Sequence, residues 1–141
     1  LTTLPKPQLM SKPQPFIVPP CKEEISILYQ DDDLLLVNKP SGLLSVPGRH
    51  PDNKDCLISR VQKNYSTARI VHRLDMDTSG IMVVARSLIA HTSLVDQLQT
   101  RTMGREYEAV VVGTLTGGAT VDAPIGRHPR TRQSPFGLRW R

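Results

Sequence analysis

The sequence predicts an α+β fold, built on a mixed, mainly antiparallel central sheet with flanking helices, and three observations support this. Short apolar runs of strand length occupy residues 25–29, 34–38 and 81–85. The first two runs flank the acidic residues 31–33, a pattern typical of two antiparallel strands joined by a turn. Helical spacing occurs around these runs, but without the regular β-α-β alternation that indicates a parallel sheet.

The later strands are justified by their ends and composition. The run at 34–38 is followed by Pro40 and Gly42, and it should end there because proline cannot continue a strand ladder and glycine favours a turn. Two further strands are predicted at residues 106–113 and 120–123, where β-branched residues recur.

Two helices are predicted from their caps and apolar faces. Asp52 or Asn53 can cap a helix over residues 54–64. The apolar face of this helix consists of Leu57, Ile58 and Val61. Ser87 can cap a second helix that ends near Thr100. Its apolar residues, spaced to share one face, are Leu88, Leu94, Val95 and Leu98.

The 141 residues divide into three parts by composition. Residues 1–22 contain half of the 12 prolines and are predicted to form a disordered arm, residues 23–128 a folded domain, and residues 129–141 a basic tail. The formal charge of +5 is carried by the last 16 residues, which hold five arginines and no acid. Charge alone is therefore weak evidence for a nucleic-acid partner, although the bases that predominate between residues 39 and 105 suit phosphate contacts.

Composition also limits the class of protein. Two cysteines are too few for a disulfide framework or a zinc site. The chain has no apolar run near the ~18 residues that a membrane span needs, and no charged-then-apolar leader. We expect a cytoplasmic monomer that does not bind membranes.

The most informative segment is residues 72–80, which read His72-Arg73-Leu74-Asp75-Met76-Asp77-Thr78-Ser79-Gly80. A carboxylate, Asp75, follows a guanidinium, Arg73, on a loop that enters an apolar strand. An adjacent cation lowers the pKa of a carboxylate and keeps it reactive at neutral pH. A tight turn is expected at Thr78, Ser79 and Gly80.

Taken singly, these residues have simpler interpretations. Asp75 alone would be a turn residue and His72 a structural residue. His72, Asp75 and Asp77 on one short loop fit no metal-ligand spacing. The order His-Arg-Leu-Asp also occurs in protein kinases, but the glycine-rich loop and the Asp-Phe-Gly motif of a kinase are absent from this sequence. The complete block is what favours catalysis.

The block resembles the catalytic signature of the RluA-type pseudouridine synthases, which isomerise uridine within RNA. Residues 36–48 and 105–113 resemble the same family in the same order. The resemblance covers residues 25–128 and implies the pseudouridine synthase fold, with residues 23–128 as the N-terminal portion of the catalytic domain.

The resemblance also implies roles for individual residues. Asp75 is expected to be the catalytic carboxylate. Arg73 could hold a phosphate, fill the gap left by a flipped base, or keep Asp75 ionised, and Tyr107 could stack on the base. His72 and Lys39 are expected to contact RNA as well. The expected substrate is ribosomal or transfer RNA, and the isomerisation requires no metal and no other cofactor.

The resemblance ends near residue 128, and the C-terminal part of the fold is expected to be missing. Family members continue with further strands and a Gly-Arg-x-His-Gln-(Leu/Ile)-Arg motif, whose first arginine pairs with the catalytic aspartate. Residues 129–141 diverge from this pattern. They are either a genuine tail that contacts RNA or, as we expect, the result of truncation or of a frameshift near Gln133. The chain could then be an impaired, RNA-binding fragment of such an enzyme, or inert.

Overall fold

The computed structural model describes residues 15–122 in full and the backbone of two short strands, 125–127 and 138–140. The chain divides into two compact units, Leu1–Arg105 and Glu106–Arg141. Helices and strands of the first unit alternate irregularly along the chain, as an α+β fold requires.

The first unit contains a four-stranded sheet. Its strands are β1 (Ser26–Gln30), β2 (Leu34–Lys39), β3 (Arg69–Ile70) and β4 (Gly80–Ala85). Their order across the sheet is β1-β2-β4-β3, and every neighbouring pair is antiparallel. The predicted α+β fold with a mainly antiparallel sheet is therefore confirmed. Strand β3 was not predicted, because a strand of two residues is too short to show the alternation of apolar and polar residues.

The acidic turn predicted between the first two strands is present. The carboxylate of Asp31 accepts hydrogen bonds from the backbone N–H groups of Asp33, at 2.9 Å, and Leu34, at 2.8 Å. These two hydrogen bonds hold the pKa of Asp31 below its usual range, and the bond from Leu34 has the larger effect. The turn thus fixes the register in which β2 leaves the loop.

One face of the sheet carries the main core. Leu35 and Val37 of β2 lie beside Met82 and Val84 of β4, and all four side chains are fully buried. Helix α1 (Leu57–Val61) covers this face with the three apolar residues predicted for it. The signature block takes part in this core through Leu74, whose side chain is buried there.

Helix α1 begins later than predicted, because its expected cap is used elsewhere. Its N-cap is Cys56, whose N–H donates to the hydroxyl of Ser59 at 3.1 Å. The side chain of Asn53 instead binds the N-terminal arm, donating to the carbonyl of Phe16 at 2.8 Å and accepting from the N–H of Val18 at 2.9 Å. Phe16 and Val18 of the predicted arm are therefore bound to Asn53, and residues 1–14 lie outside the described part.

Helix α2 (Leu88–Gln99) has the predicted cap but a different buried face. The hydroxyl of Ser87 accepts from the N–H of Ala90 at 3.1 Å. Ala90 and Leu94 pack on Ala85 at the other face of the sheet, whereas Leu88 is 63% exposed. The predicted face was wrong at Leu88. This residue is six positions before Leu94, and on a helix that spacing places the two side chains about 120° apart.

Two of the strands expected in the second unit are not formed by its described residues. Residues 106–122 form no strand, and Val110 and Val112 are fully exposed. The strand predicted at 106–113 is wrong for this structure, because a strand needs a hydrogen-bonded neighbour and no strand in the described residues pairs with it. Of the strand predicted at 120–123, residues 120–122 are irregular and Ala123 lies outside the described part.

The second unit does contain one strand pair. Strands β5 (Ile125–Arg127) and β6 (Leu138–Trp140) are antiparallel. Strand β6 lies within the predicted basic tail, and the rest of that tail, 129–137 and 141, lies outside the described part. In the portions of the chain that the structure describes, no helix is long and apolar enough to cross a membrane.

Candidate active site

Two loops meet at one end of the sheet. Residues 71–79, the signature loop, connect β3 to β4, and residues 40–45, the support loop, follow β2. Lys39, the last residue of β2, is paired with Gly80, the first of β4, so both loops leave the sheet at the same end. The support loop is therefore in position to hold the backbone of the signature loop.

The first contact between the two loops is at Leu74. The hydroxyl of Ser45 donates to the carbonyl of Leu74 at 2.6 Å and accepts from its N–H at 3.1 Å. Ser45 is only 4% exposed, so water does not compete for these bonds. One side chain thus satisfies both backbone groups of the residue that precedes Asp75.

The second contact is at Met76, on the other side of Asp75. Its carbonyl accepts from the ammonium of Lys39 and from the N–H of Gly42, both at 2.9 Å. The hydroxyl of Ser41 donates to the next carbonyl, that of Asp77, at 2.8 Å. The backbone is therefore held at three of the four positions from Leu74 to Asp77.

Lys39 does not fit the RNA-contacting role predicted for it. Its side chain is 0% exposed, and its ammonium donates to the carbonyls of Leu43, Pro40 and Met76 at 2.7, 2.9 and 2.9 Å. Burial lowers the pKa of Lys39, and the nearby thiol of Cys21 and the carboxylates of Asp77 and Asp75 oppose this shift. Lys39 is thus a structural cation beneath the signature loop.

Asp75 and Arg73 are both exposed, on either side of the buried Leu74. Within the described residues the carboxylate of Asp75 forms no ion pair. Arg73 therefore makes no ion pair with Asp75 in the structure, and both side chains are exposed to solvent.

The turn of the signature loop comes earlier in the chain than the turn predicted at residues 78–80. The N–H of Thr78 donates to the carbonyl of Asp75 at 3.1 Å, which places Met76 and Asp77 at the centre of the turn. Gly80 instead opens β4 with φ of 125°, a conformation that L side chains rarely adopt. Glycine is needed here for the entry into the strand.

The remaining predicted residues are placed differently. Nε2 of His72 accepts from the N–H of Val83 in β4 at 3.0 Å, so the ring is half-buried against the sheet. Tyr107 belongs to the second unit, and its side chain is 65% exposed. The stacking role of Tyr107 stays a prediction.

Sequence reasoning missed the side chains that hold the loop. Ser41 and Ser45 lie in the segment that resembles the family, but serine in a Pro- and Gly-containing stretch gives no sign of its partner. Their role depends on contacts 29 to 36 residues away in sequence. In the part of the chain that the structure describes, no group of three or more His, Cys, Asp or Glu residues could hold a metal ion.

Comparison with known proteins identifies the class to which this fold and site belong. A family model described as RNA pseudouridylate synthase matches residues 33–138. The chain belongs to this family, in the RluA-type branch that the signature block predicted.

Particular relatives can then be named. The chain is similar to ribosomal large subunit pseudouridine synthase D of Pseudomonas aeruginosa, with 50% identity over 115 residues, covering 78% of this chain and 36% of the relative. The corresponding protein of Escherichia coli is 45% identical over 115 residues, covering 77% and 35%. The chain thus spans about a third of the length of these relatives.

A solved structure is also similar. Human RNA pseudouridylate synthase domain containing 4 is 28% identical, with a TM-score of 0.43, covering 54% of this chain and 30% of that one.

Proposed function

We propose that this chain acts on RNA and isomerises specific uridines to pseudouridine, with Asp75 as the catalytic carboxylate. The observation that carries the proposal is the state of Asp75. Its carboxylate is exposed, while the backbone on both sides of it is fixed at Leu74, Met76 and Asp77. A reactive group on a rigid mount keeps its productive geometry without a further ordering cost.

The chemistry needs such a group. The bond between N1 of uracil and the sugar breaks, the base rotates, and a new bond forms between C5 and the sugar. The proton at C5 is lost and N1 gains one, so that the product is an isomer of the substrate. A carboxylate can attack the sugar or the base, or stabilise the charge that develops on the sugar. No oxidation state changes overall, so the balanced reaction calls for no redox cofactor.

The neighbouring residues have compatible roles in this proposal. Arg73 is exposed and could bind a phosphate or occupy the space left by a flipped base. Tyr107 would stack on the target base, a contact worth about 1–3 kcal/mol in other aromatic platforms. Lys39 would act only through the loop that it supports.

Ribosomal RNA of the large subunit is the proposed substrate class. The names of the relatives from Pseudomonas aeruginosa and Escherichia coli support it, since each is described as a ribosomal large subunit pseudouridine synthase. Transfer RNA is the second substrate to test. We propose that the chain acts as a monomer, in the cytoplasm.

The proposal predicts the effect of removing the carboxylate. Tritium release from RNA labelled at C5 of uracil measures turnover, because the C5 proton is lost in each cycle. We expect Asp75→Asn to lower the rate by at least roughly 100-fold, since catalytic side chains contribute on that scale. Asp77→Asn is the matched control, with the same charge change on the same exposed loop. Equal rates for Asp75→Asn and the unaltered chain would disprove the role of Asp75.

A second candidate function is RNA binding without catalysis. It is favoured by the absence of a cationic partner for Asp75 within the described residues. RNA binding by the unaltered chain, with no tritium release from either substrate class, would establish this alternative.

A further inference from the structure

His72 lies where the pairing between β3 and β4 ends. Strand β3 stops at Ile70, which is paired with Val84. No residue of β3 therefore faces Val83, the next residue of β4. The N–H of Val83 is directed instead at Nε2 of His72, at 3.0 Å. The imidazole thus serves as the acceptor that a strand carbonyl would normally provide.

We propose that His72 is a positioning residue: its neutral imidazole ties the entrance of the signature loop to β4 and so holds Arg73 and Asp75 in place, without contacting RNA. The catalytic consequence rests on the proposed function, but the structural role does not. His72 directly precedes Arg73, and Asp75 follows three residues later.

The other contacts to this loop leave a gap that His72 fills. Ser45, Gly42 and Ser41 hold the loop from Leu74 onward, and all three belong to the support loop. None of these contacts reaches the residues before Leu74. The bond from Val83 fixes the chain at His72, so that Arg73 is held between two anchored neighbours.

The electrostatic surroundings of the ring favour the neutral form. Partial burial lowers the pKa of His72, and the positive charge of Arg105 lowers it further. A charged imidazole would bind an RNA phosphate most strongly, and this environment disfavours the charged form. The bond from Val83 requires the neutral form of the ring, since Nε2 can accept a hydrogen bond only when it carries no proton.

Three variants separate positioning from RNA contact. His72→Leu removes the acceptor, whereas His72→Gln can place its carbonyl oxygen near the position of Nε2. His91→Leu is a matched control, because Nε2 of His91 also makes a 3.0 Å bond to backbone, to the carbonyl of Ile70 in β3, outside the signature loop.

The first measurement is backbone amide exchange and NMR chemical shifts of the chain without RNA. We expect His72→Leu to speed exchange at Val83 by about 10-fold, the factor that one hydrogen bond commonly contributes, and to shift the amides of residues 73–77. His72→Gln should restore most of the protection, and His91→Leu should leave the loop unchanged. Unchanged exchange at Val83 in His72→Leu would overturn the proposal.

The second measurement is tritium release. We expect His72→Leu to lower kcat by about 10-fold with KM changed less than about 2-fold, because the bond that is lost positions the loop and does not hold substrate. A weaker affinity for RNA with an undisturbed loop would show that His72 contacts RNA and would also overturn the proposal.

The two proposals can fail separately. No tritium release from the unaltered chain would defeat the proposed function, while the amide measurements would still test His72. If His72→Leu does not fold, the imidazole nitrogen shifts of the unaltered chain decide. We expect the proton on Nδ1 and none on Nε2 at neutral pH, and the opposite tautomer would contradict the bond to Val83.

Discussion

At the scale of the residue, the site depends on side chains that form hydrogen bonds with the backbone of the signature loop. The sequence predicts Asp75 and Arg73 as site residues because the block around them is specific. Lys39 was predicted to contact RNA because lysine side chains are usually exposed, whereas in the structure it is buried. Its three carbonyl partners come from separate positions in two loops, and no local pattern reveals such convergence.

Ser45 provides a prediction at this scale. Ser45→Ala leaves the N–H and the carbonyl of Leu74 without their partner, and burial keeps water from replacing it. We expect a loss of about 1–3 kcal/mol in the free energy of unfolding, the range for a buried unsatisfied group. Urea denaturation measures it.

Ser41→Ala is the matched control for Ser45. Ser41 also donates to a carbonyl of the signature loop, but it is exposed, so water can take its place. We expect this variant to lose less than about 1 kcal/mol. Equal losses in the two variants would show that burial does not strengthen the contact at Ser45.

At the scale of the element, prediction succeeded where a segment carries its own pattern. Strands β2 and β4 are apolar runs with clear ends, and Ser87 caps α2 as expected. Prediction failed where contacts with other parts of the chain determine whether a strand or helix forms. Residues 106–113 have the composition of a strand, but without a hydrogen-bonded neighbour in the described residues they form none. The start of α1 moved because Asn53 binds the arm.

Gly80 provides the prediction for an element. It begins β4 with φ of 125°, so Gly80→Ala should strain the junction between the signature loop and the strand by about 1–3 kcal/mol. Gly104→Ala is the control, since Gly104 has no positive φ and an added Cβ would have no atom within 4 Å. Thermal or urea unfolding compares them. If both variants were equally stable, the conformation of Gly80 would not be a constraint.

At the scale of the whole molecule, the sheet connects the core to the site. The face that packs on α1 contains Leu35 of β2 and Val84 of β4. The support loop follows β2, and the signature loop precedes β4. The signature loop joins this core through Leu74 and the sheet edge through His72. The order of the chain places His72 and Leu74 on either side of Arg73, but it could not show that one is attached to β4 and the other to the core.

Because His72 is attached to the sheet, its ionisation should affect the stability of the molecule. The pKa of His72 is below its ordinary value of 6.5 in the folded state, so the unfolded chain binds this proton first as the pH falls. The stabilising contribution is therefore complete above pH 6.5 and is lost as the pH falls through the pKa of the folded state. Charging the ring also removes the acceptor for Val83.

Urea unfolding of the unaltered chain and of His72→Leu, measured at pH 7.5 and at successively lower pH, tests this linkage. The carboxylates and the other histidines are common to both proteins, so their titration cancels in the difference between the two curves. We expect the difference in unfolding free energy to shrink as the pH falls below 6.5, because only the unaltered chain loses the contribution of His72. Parallel curves would mean that the ring has the same pKa in the folded and unfolded chain, and that its bond to Val83 does not depend on the neutral form.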